Sequence, residues 1–113
     1  MHELAICQEL IKQATTIALQ HGATQILRIN IAIGPLAGVE PALLAHAFPI
    51  VIINTSAAQA KLEITTTPIK IRCLECNTIT EMDSVHLICA QCQSWRTQLI
   101  SGDELLLLQL ELS

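Results

Sequence analysis

Aromatic side chains are almost missing from this sequence: Phe48 and Trp95 are the only two, and there is no tyrosine. The core must therefore be aliphatic, and with 51% of residues hydrophobic the leucine, isoleucine, valine and alanine to build it are at hand. Positive charge is scarce as well. Six lysines and arginines face ten acidic residues, for a net charge of −4. The six form no cluster, and nucleic-acid binding relies on a basic patch, so no nucleic-acid partner is expected. No apolar run approaches the ~20 residues needed to span a bilayer. Nor does a basic segment followed by an apolar one mark a secretion signal. The expected compartment is the cytoplasm, with no membrane contact.

Cysteine, by contrast, is well represented. Five of them in a reducing compartment point to metal rather than disulfides, and the odd count agrees. Four fall as Cys73-Leu74-Glu75-Cys76 and, after twelve residues, Cys89-Ala90-Gln91-Cys92. Zinc takes four soft ligands in a tetrahedron, with Zn–S near ~2.3 Å, and two CxxC turns can close that shell. A redox reading would want each pair between a strand and a helix, and neither has that setting. A closed thiolate shell leaves no position for water or substrate, so this zinc is expected to hold a fold rather than catalyse. The segment 68–101 has few apolar residues of its own: Ile69, Ile71, Ile79, Met82, Val85, Leu87, Ile88 and Trp95. Zinc affinities of ~10–16 kcal/mol would offset the entropy of ordering it.

Around that segment the chain reads as an α+β domain. Leu4, Cys7, Leu10, Ile11, Ala14, Ile17 and Ala18 recur at three-and-four spacing, one buried helical face running to His21, and Gly22 ends it. Glu3 and Glu9 sit where the helix dipole favours negative charge. Residues 26–33 alternate as a strand and end at Gly34-Pro35. A second helix is expected from Pro41 to about Asn54, kinked at Pro49; a short helix followed by a strand through Ile50-Val51-Ile52-Ile53 is the alternative. Strands follow at 61–67 and 104–112, the latter with Leu106, Leu108, Leu110 and Leu112 on one face. The simplest topology pairs these two strands antiparallel, with the cysteine segment inserted at the end of their hairpin. The domains are then 1–67 with 102–113, and 68–101.

One further stretch carries chemistry. In Met1-His2-Glu3 a free α-amine, the following peptide nitrogens and the His2 imidazole can chelate one ion in fused rings, a nitrogen set suited to square-planar Ni(II) or Cu(II). A second-position histidine is also an ordinary solvated terminus, and the residues alone leave both readings open. Cys7 on the apolar helix face reads as core. His21, His46 and His86 have no partner at ligand spacing, and Glu40 reads as a helix-start residue. No nucleophile elbow, phosphate loop or catalytic carboxylate pair stands out, so no enzyme is expected.

Taken together, these residues resemble the HypA/HybF family of nickel metallochaperones for [NiFe]-hydrogenase maturation. The similarity covers the whole length. It runs from MHELAIC through INIAIGPLAGVEPALLAHAF to CLEC, CAQC and the closing SGDEL strand. Some relatives carry histidine directly after a CxxC, where this chain has Asn77 and Gln93. The resemblance implies two helices on a three-stranded antiparallel sheet with an inserted zinc-ribbon-like lobe. It implies transported nickel at the Met1 amine, the His2 side chain and backbone nitrogens up to Glu3, beside a structural zinc on Cys73, Cys76, Cys89 and Cys92. The implied partners are a nickel-handling GTPase and the hydrogenase large subunit, and some relatives also serve urease; the expected state is a monomer or weak homodimer. The competing function is a zinc-ribbon adaptor that mediates protein–protein contacts.

Overall fold

In the computed structural model, which describes residues 3–82 and 86–113, the described chain opens on helix α1, Glu3–Gln20. Its periodicity places Cys7, Leu10, Ile11, Ala14 and Ala18 in the core, whereas Leu4, expected on the same face, is half exposed. Gly22 closes the helix at φ 68°. Its N–H bonds the Leu19 carbonyl, and the Ala23 N–H reaches back to Ala18, the paired bonds of a Schellman cap. Helix α2, Pro41–Val51, packs against α1 through Leu44, Ala47 and Phe48. It contains Pro49, and its last turn runs through Ile50 and Val51, so the strand alternative is not realised. Near the C-terminal end a proline removes a single helical donor, and the Ile52 N–H still reaches the Phe48 carbonyl at 3.2 Å.

The remaining elements are β1 (Ile26–Ile33), β2 (Lys61–Thr66), β3 (Ile69–Cys73), β4 (Ile79–Met82), β5 (Thr97–Ser101) and β6 (Leu105–Leu112). They form two three-stranded sheets, ordered β2-β1-β6 and β4-β3-β5. The first corrects two expectations. β2 and β6 do not pair with each other, because β1 lies between them. The sheet is also mixed rather than antiparallel. Arg28, Asn30 and Ile33 meet Glu63, Thr65 and Thr67, numbers that rise together, so β2 runs parallel to β1. Gln25 and Gly34 meet Ser113 and Glu104, numbers that run in opposite senses, so β6 is antiparallel. The cause is connectivity. Parallel neighbours need a crossover of a dozen residues or more, usually helical, and α2 supplies it between β1 and β2.

The chain divides into two compact units. One takes in α1, β1 as far as Ala32, Val39–Thr65 and Leu106–Ser113; the other takes in Ile33–Gly38 and Thr66–Leu105. In the first unit, Ile29 and Ile31 are buried, while Arg28 on the opposite face pairs with Glu63 at 3.1 Å and Glu111 at 3.5 Å. β6 is an edge strand, and its leucines do not share one face as expected: the alternation changes phase at Leu108-Gln109, so Leu105, Leu107, Leu110 and Leu112 are the half-buried ones, while Leu106 and Leu108 are 48% and 52% exposed. Two consecutive outward residues, Leu108 and Gln109, switch the inward face from Leu105 and Leu107 to Leu110 and Leu112.

In the second unit β3 is central and antiparallel to both neighbours, with Ile71 opposite Thr80 on one side and Leu99 on the other. Ile69 and Ile71 are fully buried, but Ile79, Ile88 and Trp95, expected in this core, are exposed; Val85 lies outside the described residues. Glu104 ties the unit's edge together. Its carboxylate accepts from the Thr67 hydroxyl and from the Gly102 N–H at 3.1 Å. The Thr67 hydroxyl, and then the Gly102 amide, hold this carboxyl below its ordinary value of 4.5. A carboxyl depressed in the fold stabilises above its unfolded value, and that stability is lost as pH falls through the folded value. Glu104→Gln should therefore flatten the acid limb of the stability–pH curve below pH 4.5, measured by urea unfolding at stepped pH; identical limbs would refute this role.

Candidate metal centre

The four-cysteine site grows from two copies of one turn. In the first, which follows β3, the Cys73 carbonyl accepts from the Asn77 N–H at 3.0 Å, and the Glu75 and Cys76 amides point at the Cys73 Sγ, each at 3.4 Å. In the second, the Cys89 carbonyl accepts from the Gln93 N–H at 3.0 Å, and the Gln91 and Cys92 amides approach the Cys89 Sγ at 3.4 and 3.5 Å. Asn77 and Gln93 both adopt φ 64°, the left-handed residue that lets each turn double back. The Cys73 and Cys89 N–H groups close the turns on the Thr78 and Ser94 carbonyls. Cys73 and Cys89 are buried, while Cys76 and Cys92 are exposed.

The two turns face each other. Cys73 Sγ lies 3.5 Å from Cys92 Sγ, and Cys76 Sγ lies 3.5 Å from Cys89 Sγ. All four sulfurs fall within 4.8 Å of one another. A tetrahedron with Zn–S near ~2.3 Å has S···S edges of about 3.8 Å, so the sulfurs already stand at the spacing of one coordination shell. The donor chemistry fits a soft, thiophilic dication, since thiolates select such metals and the amides aimed at Cys73 and Cys89 favour the anionic form.

Electrostatics point the same way. The Thr78 hydroxyl, 3.2 Å from its sulfur, and then the Thr78 backbone lower the Cys76 thiol to about 6. The Cys76 amide, partly opposed by burial, lowers Cys73 too. For Cys92 the Ser94 backbone favours the thiolate, but the Cys73 sulfur, burial and the other two cysteines outweigh it and push the thiol up to about 12. Four sulfurs at this spacing cannot all ionise beside one another, and a bound dication removes that conflict by releasing the remaining protons.

The other sequence candidates fall elsewhere. Cys7 is core, 1% exposed, and burial pushes its thiol up. His21, His46 and His86 are exposed, and the four cysteines are the only metal-holding cluster among the described residues. Met1 and His2 lie outside the described residues. Glu3 is described and is buried at 6% exposure; its Oε2 accepts the Glu40 N–H at 3.1 Å. From the sequence Glu3 is expected at the dipole of its own helix and, by the family resemblance, at the nickel site. The carboxylate reaches across to the start of the other helix, where the N-cap residue Glu40 makes no side-chain cap of its own.

Comparison with known proteins places this geometry in context. Over 112 residues the chain is 40% identical to the hydrogenase maturation factor HypA of Nitrosospira multiformis, covering 99% of this chain and 97% of that one. Identity to the factor of the same name from Shewanella oneidensis is 38%, with coverages of 99% and 95%. To that from Aquifex aeolicus it is 36%, with coverages of 99% and 97%. The fold resembles the solution structure of the nickel metallochaperone HypA from Helicobacter pylori, with a TM-score of 0.73 at 24% identity over 99% of this chain and 97% of that one. Residues 1–112 match the family described as hydrogenase/urease nickel incorporation, metallochaperone, HypA. With the whole length aligned and the four-cysteine metal-binding site formed, the chain belongs to the HypA family of nickel-incorporation metallochaperones.

Proposed function

We propose that this protein binds Ni(II) at its N-terminus and helps insert it into the large subunit of a [NiFe]-hydrogenase, with a structural zinc ion on Cys73, Cys76, Cys89 and Cys92. The nickel ligands are the Met1 amine, the His2 side chain and main-chain nitrogens up to Glu3. On this reading the unit built around α1 and α2 is the nickel-binding domain, and the unit that carries the cysteines is the zinc-binding domain. The protein works in the cytoplasm as a monomer or weak homodimer and hands its metal on together with a nickel-handling GTPase. No helix among the described residues is long and apolar enough to cross a membrane, in keeping with that setting.

The observation that carries the reading is the match to a nickel-incorporation family over residues 1–112, beginning at Met1-His2-Glu3. The division of labour follows from ligand chemistry. A closed shell of four thiolates holds its ion and leaves no open position, which suits a structural metal and not a cargo. Nitrogen ligands at a chain end suit Ni(II) and can be exchanged one at a time.

Titrating the zinc-loaded protein with Ni(II) by calorimetry tests this. One nickel per chain is expected in the native protein. Binding should be lost in His2→Ala and in a chain extended before Met1, with zinc content unchanged in both. Equal nickel affinity in all three proteins would refute the terminal site.

A further inference from the structure

We infer that the outward face of α2 is a self-association surface, on which the α2 of a second copy of this chain lies antiparallel. The inference goes beyond the nickel reading and rests on it only where that reading allows a weak homodimer; it names the face that forms one.

Three observations carry it. The first is composition. The eleven residues of α2, PALLAHAFPIV, contain no charge and a single polar side chain, His46. A helix apolar all round is ordinarily buried all round. This one buries Leu44, Ala47 and Phe48 and leaves its other side in solvent. Leu43 is 51% exposed, Ile50 65%, and Ile53, in the turn just past the helix, 63%. His46 is exposed as well.

The second is spacing. Leu43, His46, Ile50 and Ile53 recur at three, four and three residues, the spacing of a seam between two helices. It reads the same in both directions. Two copies related by a two-fold axis, the commonest oligomer symmetry, therefore meet in register. Leu43 of one copy lies opposite Ile53 of the other, and Ile50 opposite His46.

The third is charge. Each chain carries −4, so two copies can meet closely only through a neutral surface. Residues 41–60 include no lysine, arginine, aspartate or glutamate. The same neutrality disfavours a lipid surface, since helices that lie on membranes carry lysine and arginine on their polar side. Area sets the strength. A helix of 11 residues is about 16 Å long, and one such helix against another falls well short of the ~800 Å² per partner of a stable complex. The dimer is weak and reversible, and a polar His46 opposite Ile50 keeps it so.

The test is sedimentation equilibrium of full-length, zinc-loaded, nickel-free protein from about 10 μM to 1 mM, the range of weak association. A monomer–dimer equilibrium is expected. Ile50→Glu puts one unpaired carboxylate per copy into the contact and should weaken it at least about tenfold. His46→Leu adds an aliphatic contact from each copy and should tighten it by about tenfold. Leu19→Glu places the same charge on an exposed position of α1 and should leave the equilibrium nearly unchanged. All three positions are exposed, so the fold should survive, as circular dichroism would verify. Amide resonances that shift with concentration should be confined to α2 and the turn after it. A native protein that stays monomeric throughout, equal weakening by Leu19→Glu, or concentration-dependent shifts centred elsewhere, as on the edge strand β6, would each overturn the proposal. So would a monomeric native protein whose binding to the purified nickel-handling GTPase is lost in Ile50→Glu, which gives the face to that partner. Nickel titration of the same proteins keeps the two readings apart: Ile50→Glu should take up nickel as the native protein does, and a native protein that dimerises through α2 but binds no nickel strikes the terminal site alone.

Discussion

Replacing Cys76 with serine is expected to strip the protein of zinc and to unfold the unit containing residues 66–105, while the unit built on α1 and α2 keeps its helical signal. The reason lies in how little else holds the cysteine-bearing unit. Among its described residues the buried apolar side chains are Ile33, Ile69 and Ile71, together with Cys73 and Cys89 of the four-cysteine cluster. The larger apolar side chains point out: Ile79 is 55% and Trp95 79% exposed. Its three strands are four or five residues long. On the proposed reading such a unit depends on zinc, whose binding is worth ~10–16 kcal/mol in comparable small zinc modules. Serine keeps the size of Cys76 but is a poor ligand for a soft cation. The other unit has a core of its own, with Cys7, Leu10, Ile11, Ile26, Ile29, Ile31, Leu44 and Phe48 all nearly inaccessible. Zinc content, far-ultraviolet circular dichroism and residue-resolved amide exchange would read the outcome. Loss of all helical signal would show that the helical unit cannot stand without the zinc.

A single methyl group at Gly34 should be almost as damaging. A Cβ there would lie 2.2 Å from the Gly102 carbonyl oxygen and 2.3 Å from its carbon. Both are backbone atoms, so no side chain can rotate out of the way. The same approach is fastened by two short bonds, Gly34 N–H to the Glu104 carbonyl at 2.8 Å and Leu36 N–H to Gly102 at 2.7 Å. Gly102 is itself constrained, with φ 117° and Ile69 packed 3.0 Å from where its own Cβ would be. Gly34→Ala must break this contact or push the chain apart, at about 3–5 kcal/mol, in the range of severe overpacking. The melting temperature should fall by about 15 °C or more, at ~4–8 °C per kcal/mol for a chain of this size. Gly22→Ala is the control. Nothing lies within 4 Å of a Cβ there, so only the left-handed backbone is penalised, by about 1 kcal/mol. Equal melting temperatures for the two variants would refute the steric account.

The local chemistry was legible in the sequence because it is repetitive. CxxC spacing dictates a turn that aims two sulfurs and two amides at one point, and the structure builds that turn twice. The α1 stripe and its Gly22 cap were readable for the same reason, each being decided within a few residues. Pro49 was harder, because local rules counted against a helix there and only packing of α2 on α1 decided for one.

What escaped depends on contacts between distant parts of the chain. The placement of β1 between β2 and β6, and its parallel run with β2, follow from α2 acting as a crossover, which alternation within a strand cannot reveal. The exposure of Leu106 and Leu108 follows from a change of phase within β6 at Leu108-Gln109, which a run of four leucines in a row, Leu105 to Leu108, does not betray. Glu104, with Thr67 and Gly102, and Glu3, with Glu40, have no spacing that announces them.

By itself, then, the sequence determined the four-cysteine cluster, the first helix with its Gly22 end, and the aliphatic character of the core, since each depends on neighbours within one or two turns. The tertiary structure alone decided strand order and direction, the backbone contact at Gly34 and Gly102, and the turning of the Glu3 carboxylate from its own helix to the next. Those outcomes depend on which distant segments must share a buried space and satisfy one another's polar groups.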